Sequence, residues 1–152
     1  MILDLKLEEQ TAQPVLCIRT KTSIEKLPAA IGEGYGRIVK YMEELGVQPQ
    51  YAPYTAYYNL DMNDLDVEMG FPVAEIFPDK DGIKARQIPQ GKVVSCMYKG
   101  AYAEMEEPYK EIMKWIEDNG QVPTGVYYEY YFNSPQEVPE SELLTRIVIP
   151  LK

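Results

Sequence analysis

The stretch YGRIVKYMEELG, Tyr35 to Gly46, lies on YKEIMKWIEDNG, Tyr109 to Gly120, without a gap at an offset of 74 residues. The same offset sets Ile31 on Met105, Ile38 on Ile112, Val39 on Met113, Met42 on Ile116, Pro49 on Pro123, and the YYN of 57–59 on the YFN of 131–133. After small length changes the flanks agree as well. VLCIRTKT from Val15 meets VVSCMYKG from Val93, and VEMGFPV from Val67 meets TRIVIPL from Thr145, both at an offset of 78. Any two amphipathic helices can be aligned, but ordered flanks on both sides make internal duplication the better explanation.

Each copy reads as strand, helix, strand, strand. Residues 14–22 and 92–100 are short β-rich runs, and Ile31, Tyr35, Ile38, Val39 and Met42 recur at helical spacing, as do their counterparts from Met105 to Ile116. Gly46 and Gly120 stop the helices, Pro28 suits a first helical turn, and Glu104, Glu106 and Glu107 place acid where the second helix dipole favours it. Later strands are expected at 54–59, 67–73, 125–133 and 144–151. The chain is thus expected to be one α+β domain over 1–152: repeat one about 14–76, a polar connector about 77–91 with an extra strand at 83–88, and repeat two about 92–152. Two βαββ repeats related by pseudo-two-fold symmetry would form antiparallel sheet with both helices on one face and a ligand cleft between the repeats.

Composition closes off several functions. With 15 Lys+Arg against 24 Asp+Glu the net charge is -9, so the electrostatic attraction that drives nucleic-acid binding opposes it, and no direct nucleic-acid binding is expected. His is absent, which removes the usual imidazole metal ligand and general base; no metal and no cofactor are expected. Two cysteines, Cys17 and Cys96, suit neither a disulfide framework nor a zinc site and read as small buried packers in a reducing, cytoplasmic setting. No apolar run reaches signal-peptide or membrane-spanning length, so no membrane partner is expected. The departure from average is aromatic: 13 Tyr against 3 Phe and 1 Trp suggest a surface both adhesive and hydrogen-bonding.

Strand alternation sorts residues into faces. Val67, Met69, Phe71 and Val73 should face the helices, with Glu68, Gly70 and Pro72 opposite; Ile147, Ile149 and Leu151 repeat this, with Arg146 and Val148 outward. The YYEYY strand carries aromatics on both faces. Burying a carboxylate under a helix layer costs several kcal/mol unless it is paired, so Glu129 is expected to point away from the helices with Tyr127, Tyr131 and Asn133, leaving Tyr128, Tyr130 and Phe132 beneath them. Its counterpart in the first copy is Thr55, so duplication alone did not demand an acid there. The plain reading is a solvated Glu; the sharper one is a cleft in which aromatic rings hold a flat or cationic ligand and Glu129 neutralises it. Glu68 is a second candidate acid, for which a structural or exposed role is the simpler account. Tyr98, Tyr102 and Tyr109 are candidates for the margin, with Tyr109 on an apolar helix face that suits core, as does Trp115.

These features together resemble the GyrI-like small-molecule-binding domain, also found as the effector-binding domain of multidrug-sensing and AraC-type bacterial transcription activators. The resemblance runs from about Val15 to Leu151 and is carried most specifically by YYEYYFNSPQEVPESELLTRIVIPL. It implies that Glu129 lies at the floor of a cleft between the repeats and meets cationic or hydrophobic aromatic ligands. The strand faces and their margin add Tyr127, Tyr131, Glu68, Tyr98 and Tyr102 as further candidate ligand-binding residues. Arg146 departs from the family, which often has an acid at the matching step. No helix-turn-helix precedes the repeats, so a stand-alone member is expected, monomer or homodimer. Some such members resemble hydrolases of cyclopropane-bearing genotoxins, in which Glu129 and Tyr131 would be catalytic. Others resemble acidic proteins that shield DNA gyrase, which would give a protein partner. A haem-binding family shares the repeat plan, a reading weakened by the lack of His.

Overall fold

The computed structural model describes all 152 residues. Eight strands and two helices follow in the order β1 (Ile2–Gln10), β2 (Gln13–Thr22), α1 (Leu27–Leu45), β3 (Tyr54–Tyr57), β4 (Leu65–Pro72), β5 (Lys84–Ile88), β6 (Gly91–Lys99), α2 (Glu106–Asp118), β7 (Tyr127–Tyr131) and β8 (Leu144–Pro150). The strands pair antiparallel, which gives the α+β class expected. By contacts the chain divides into two compact units, Thr11–Gln90 and Met1–Gln10 with Gly91–Lys152.

In the unit Thr11–Gln90 the strands lie in the order β3-β4-β2-β5. Helix α1 starts with Pro in its first turn and ends at Gly46, whose left-handed φ of 70° lets its N–H donate to the Glu43 carbonyl. Its apolar face puts Ile38, Tyr41 and Met42 on Leu16 and Ile18 of β2 and Val67 and Met69 of β4. Val67, Met69 and Val73 are buried on the helix side as alternation demands, whereas Val39 stands outside the stripe and is 40% exposed. Gly34 lets helix and sheet approach: a Cβ there would come within 2.0 Å of the Met69 sulfur.

In the other unit the order is β1-β6-β8-β7. Ile112 and Ile116 of α2 pack on Val94, Cys96 and Tyr98 of β6 and Ile147 and Ile149 of β8, with Trp115 against the same cluster. Both cysteines are buried, and burial pushes each thiol up to about 12. Val148, expected on the outward face, is 1% exposed, so that face of β8 is covered too.

Strand β1 is absent from the expected plan because a bulge between Leu3 and Lys6, with Asp4 at φ 55°, breaks its alternation. Ile2 and Leu5, three residues apart, are therefore the ones that pack on the core. The offset of 78 makes β1 the counterpart of β5, so each copy begins with an extra strand. These first strands are exchanged: β1 pairs with β6 of the second copy, and β5 with β2 of the first.

The exchanged strands carry matched charges of opposite sense. Glu8 on β1 accepts hydrogen bonds from Ser95 of β6 (2.7 Å) and from Arg146 of β8 (2.6 Å). In the other unit Arg86 on β5 donates to Glu68 of β4, beside Cys17 of β2. At the same offset Glu8 is the counterpart of Arg86, Ser95 of Cys17, and Arg146 of Glu68. The same three positions thus hold one ion pair in each unit with its polarity reversed. Where the second copy has Arg146 the first has Glu68, and it is Glu68 that Arg86 meets.

Candidate functional site

Glu129 sits at the centre of β7, and the register decides which way it faces. It is paired with Ile147, which is buried beneath α2, and side chains of paired residues share a sheet face. Glu129 therefore points toward α2, not away from it, and this corrects the face expected from sequence. Tyr127 and Tyr131 share its face, as anticipated, but it is the helix face: Tyr127 packs on the core of α2. Tyr128 and Tyr130 take the opposite face, where the Arg146 guanidinium lies 5.8 Å from the Tyr130 ring centre. Phe132, expected under the helices, is 42% exposed beyond the end of the strand.

The cost that argued against this arrangement is met by phenols. Tyr109, projecting from α2, donates to Glu129 Oε2 at 2.5 Å, and Tyr131 donates to Oε1 at 2.9 Å. Tyr109, whose helix position suits margin or core, is the link between helix and carboxyl. Its counterpart Tyr35 projects from α1 in the same way and, with Thr55 where the acid would be, donates to the Tyr54 carbonyl at 2.6 Å. Two edge-on ring pairs complete the surround: Tyr102 with Tyr131 at 5.7 Å and Tyr109 with Tyr127 at 6.3 Å. Tyr102, in a 3₁₀ turn at 102–104, is the most open ring of the group at 39% exposure.

Glu129 is 9% exposed. Burial raises its carboxyl above the ordinary range, and the Tyr109 and Tyr131 hydroxyls only partly offset this. No cation enters that balance. Thr145, opposite Tyr131 in the register, adds a polar group that sequence reasoning passed over: its buried hydroxyl has no hydrogen-bond partner. A threonine in an apolar-patterned strand is ordinary in sequence, so only the tertiary packing marks it.

Glu68 contrasts with Glu129. It faces away from the α1 core, is 2% exposed, and takes hydrogen bonds from Tyr54 (2.5 Å), Tyr58 (2.8 Å) and Arg86. Burial works against the Arg86 charge, but the neighbouring Glu68 carboxylate holds the guanidinium protonated more firmly than usual. Glu68 is thereby held in an ion pair, whereas Glu129 has no basic partner. Tyr98 is likewise core: its ring is 2% exposed and its hydroxyl donates to the Ala101 carbonyl at 2.8 Å. The residues gathered about Glu129 are Tyr102, Tyr109, Tyr127, Tyr131 and Thr145.

Two helices, each packed on antiparallel strands of its own unit, define a duplicated α+β fold. The profile of the GyrI-like small molecule binding domain matches residues 4–152, and the chain belongs to that family. No curated protein matches the chain in sequence. Among solved structures, EcmrR in its DNA complex within EcmrR-RPo is similar with a TM-score of 0.85 at 22% identity, over 98% of this chain and 57% of that one. The separate EcmrR C-terminal domain gives 0.75 at 23% identity, over 100% and 99%. A hydrolase encoded by lin2189 from Listeria innocua gives 0.72 at 14% identity, over 98% and 92%. SAV2435 bound to tetraphenylphosphonium gives 0.64 at 10% identity, over 99% and 94%. At these identities the likeness is one of fold. No helix of the protein is long and apolar enough to cross a membrane.

Proposed function

We propose that this domain takes up lipophilic aromatic cations at Glu129, in the service of sensing or neutralising drugs and toxins. The observation that carries the reading is a buried carboxyl with phenolic neighbours and no basic partner. Such a group is expensive to ionise alone and becomes favourable to ionise once a cation stands beside it. Tyr102, Tyr127 and Tyr131 offer ring faces and edges to a flat or multi-ring ligand, and cation–π attraction adds about 0.5–2 kcal/mol. The net charge of -9 supports attraction of cations and opposes nucleic acid as a direct partner.

Tetraphenylphosphonium, the ligand of SAV2435, is the natural first probe. Calorimetric titration should show binding that weakens about tenfold or more in Glu129→Gln, as expected for removing a charge-assisted contact, and less in Tyr131→Phe. Affinity unchanged in both Glu129→Gln and Tyr127→Ala would remove this site from the account.

A second reading rests on the same carboxyl. A buried acid held by two phenols has the parts to open an activated cyclopropane: in its ionised form, favoured as pH rises, the carboxyl orients and deprotonates water for attack on a ring carbon. The electron pair of the broken C–C bond passes to the conjugated acceptor, and a phenol protonates it. Incubation with a cyclopropane-bearing alkylator, followed by mass, separates hydrolysis from sequestration. Turnover should fall by about 100-fold or more in Glu129→Gln and less in Tyr131→Phe, and full activity in both Glu129→Gln and Glu68→Gln would exclude carboxylate catalysis.

A further inference from the structure

We propose that Glu129 keeps a proton while the site is empty and gives it up to solvent when a cation binds, so that uptake of one cation releases one proton. The inference rests on the cation-binding reading above and adds its regulation.

Its basis is the arrangement of groups that face the carboxyl. From α2 comes Tyr109, from β7 Tyr127 and Tyr131, from the 3₁₀ turn Tyr102, and from β8 Thr145 and Ile147; beyond Ile147 in the same row lies the thiol of Cys96 on β6, within electrostatic reach of the acidic Glu111 of α2. Phenol, hydroxyl and thiol share one property: none carries positive charge at any pH. The cations carried by α2 and β8 are engaged elsewhere. Arg146 is turned to the opposite face and paired with Glu8, while Lys110 and Lys114 lie on the exposed side of α2 in pairs with Glu106, Glu107 and Asp118.

The hydrogen bonds suit both protonation states. A phenol both donates and accepts. When Glu129 is ionised, Tyr109 donates to Oε2; when it is protonated, an Oε2–H group donates to the Tyr109 oxygen over the same 2.5 Å. Tyr131 donates to Oε1 in either case. The site thus holds its geometry while the proton leaves, and the entering cation replaces the positive charge that the proton supplied. Burial, which raises the Glu129 carboxyl, acts in the same direction. The charge balance is closed: neutral carboxyl plus cation becomes carboxylate–cation pair plus a proton in bulk water. Two consequences are selectivity and pH dependence. A neutral ring compound of the same shape gains nothing from expelling the proton, and low pH weakens cation binding by competition.

The test is calorimetry of tetraphenylphosphonium binding in buffers of different ionisation enthalpy across roughly pH 5 to 8. The expected result is an apparent enthalpy that tracks the buffer, corresponding to release approaching one proton at the acid end. Affinity should rise with pH by up to about tenfold per unit and level off once the empty site is ionised. Triphenylphosphine oxide, neutral and of similar size, should release none, and in Glu129→Gln the residual cation binding should be independent of buffer and pH. Infrared difference spectra of the unaltered protein give a readout that needs no variant: the C=O stretch of a protonated carboxyl should vanish when the cation is added. Cation binding without buffer dependence at any pH, or without loss of that stretch, would overturn the proton exchange and leave the binding reading standing. Absence of cation binding at every pH would sink the binding reading and the exchange with it.

Discussion

Two glutamates of this chain are buried, and a counter-charge separates their roles. Glu68 has Arg86 and two phenols; Glu129 has phenols alone. Their isosteric amides should therefore act in opposite directions. Glu68→Gln removes the anion from a buried position that takes hydrogen bonds from Tyr54, Tyr58 and Arg86, and is expected to destabilise by about 1–3 kcal/mol. Glu129→Gln removes a buried acid whose carboxyl is raised by burial. The folded protein then holds the Glu129 proton more tightly than the unfolded chain does. Stability from this group is full below the ordinary value of 4.5 and declines as pH rises toward the higher folded value. Above that window Glu129→Gln should be more stable than the parent, and below it equal. Urea titrations at pH 4 through 8 check both sign and window, and a variant less stable than the parent at neutral pH would contradict the assignment.

At the scale of the element, the reversed ion pairs hold the exchanged first strands. Glu8 spans β6 to reach Arg146, just as Arg86 spans β2 to reach Glu68. The Ser95 hydroxyl and the Arg146 guanidinium hold the Glu8 carboxyl below its usual range against the opposing effect of burial, so its share of stability is present above the ordinary carboxylate value and lost as pH falls through the folded one. Glu8→Arg alone places two guanidiniums together and should cost about 1–3 kcal/mol while exposing the amides of β1 to exchange. Adding Arg146→Glu restores a pair with the polarity the other unit already uses, and should recover part of the loss. Failure of the double variant to regain any stability or protection would show that the pair does not anchor β1. Gly70 sets a related constraint on β4. A Cβ there would stand 2.6 Å from the Leu16 carbonyl oxygen and 2.9 Å from the Tyr54 hydroxyl. Gly70→Ala is accordingly expected to cost about 1–3 kcal/mol and to move Tyr54 off Glu68, which thermal unfolding would register.

For the whole molecule, the compact units and the sequence copies have different boundaries. The unit Thr11–Gln90 is continuous in the chain and holds all four of its strands, whereas Gly91–Lys152 needs Met1–Gln10 to cover the β6 edge. A fragment of residues 11–90 is therefore expected to fold by circular dichroism and to unfold cooperatively. A fragment of 91–152 should not, until a peptide of residues 1–10 is supplied. Equal behaviour of 91–152 with and without that peptide would refute the dependence.

How much of this was legible in sequence differs by feature. The duplication, the order of helices and strands, the helix stops and the two apolar cores were readable, because helical spacing and clean alternation in VEMGFPV and TRIVIPL each admit one buried face. The extra strand at the start was not, because its bulge disrupts the period that would announce it. The orientation of Glu129 was not either. YYEYY offers tyrosine to both faces, so alternation leaves the register open, and desolvation argued for the wrong one. By itself the sequence determined a duplicated α+β chain with an acid amid phenols. Only the tertiary structure decided that the acid lies under a helix, that Tyr109 and Tyr131 make its burial tolerable, and that Arg86 neutralises Glu68 while no cation reaches Glu129. The physical reason is that the cost of burying a charge depends on partners brought from distant segments, and no local pattern records which segments will meet.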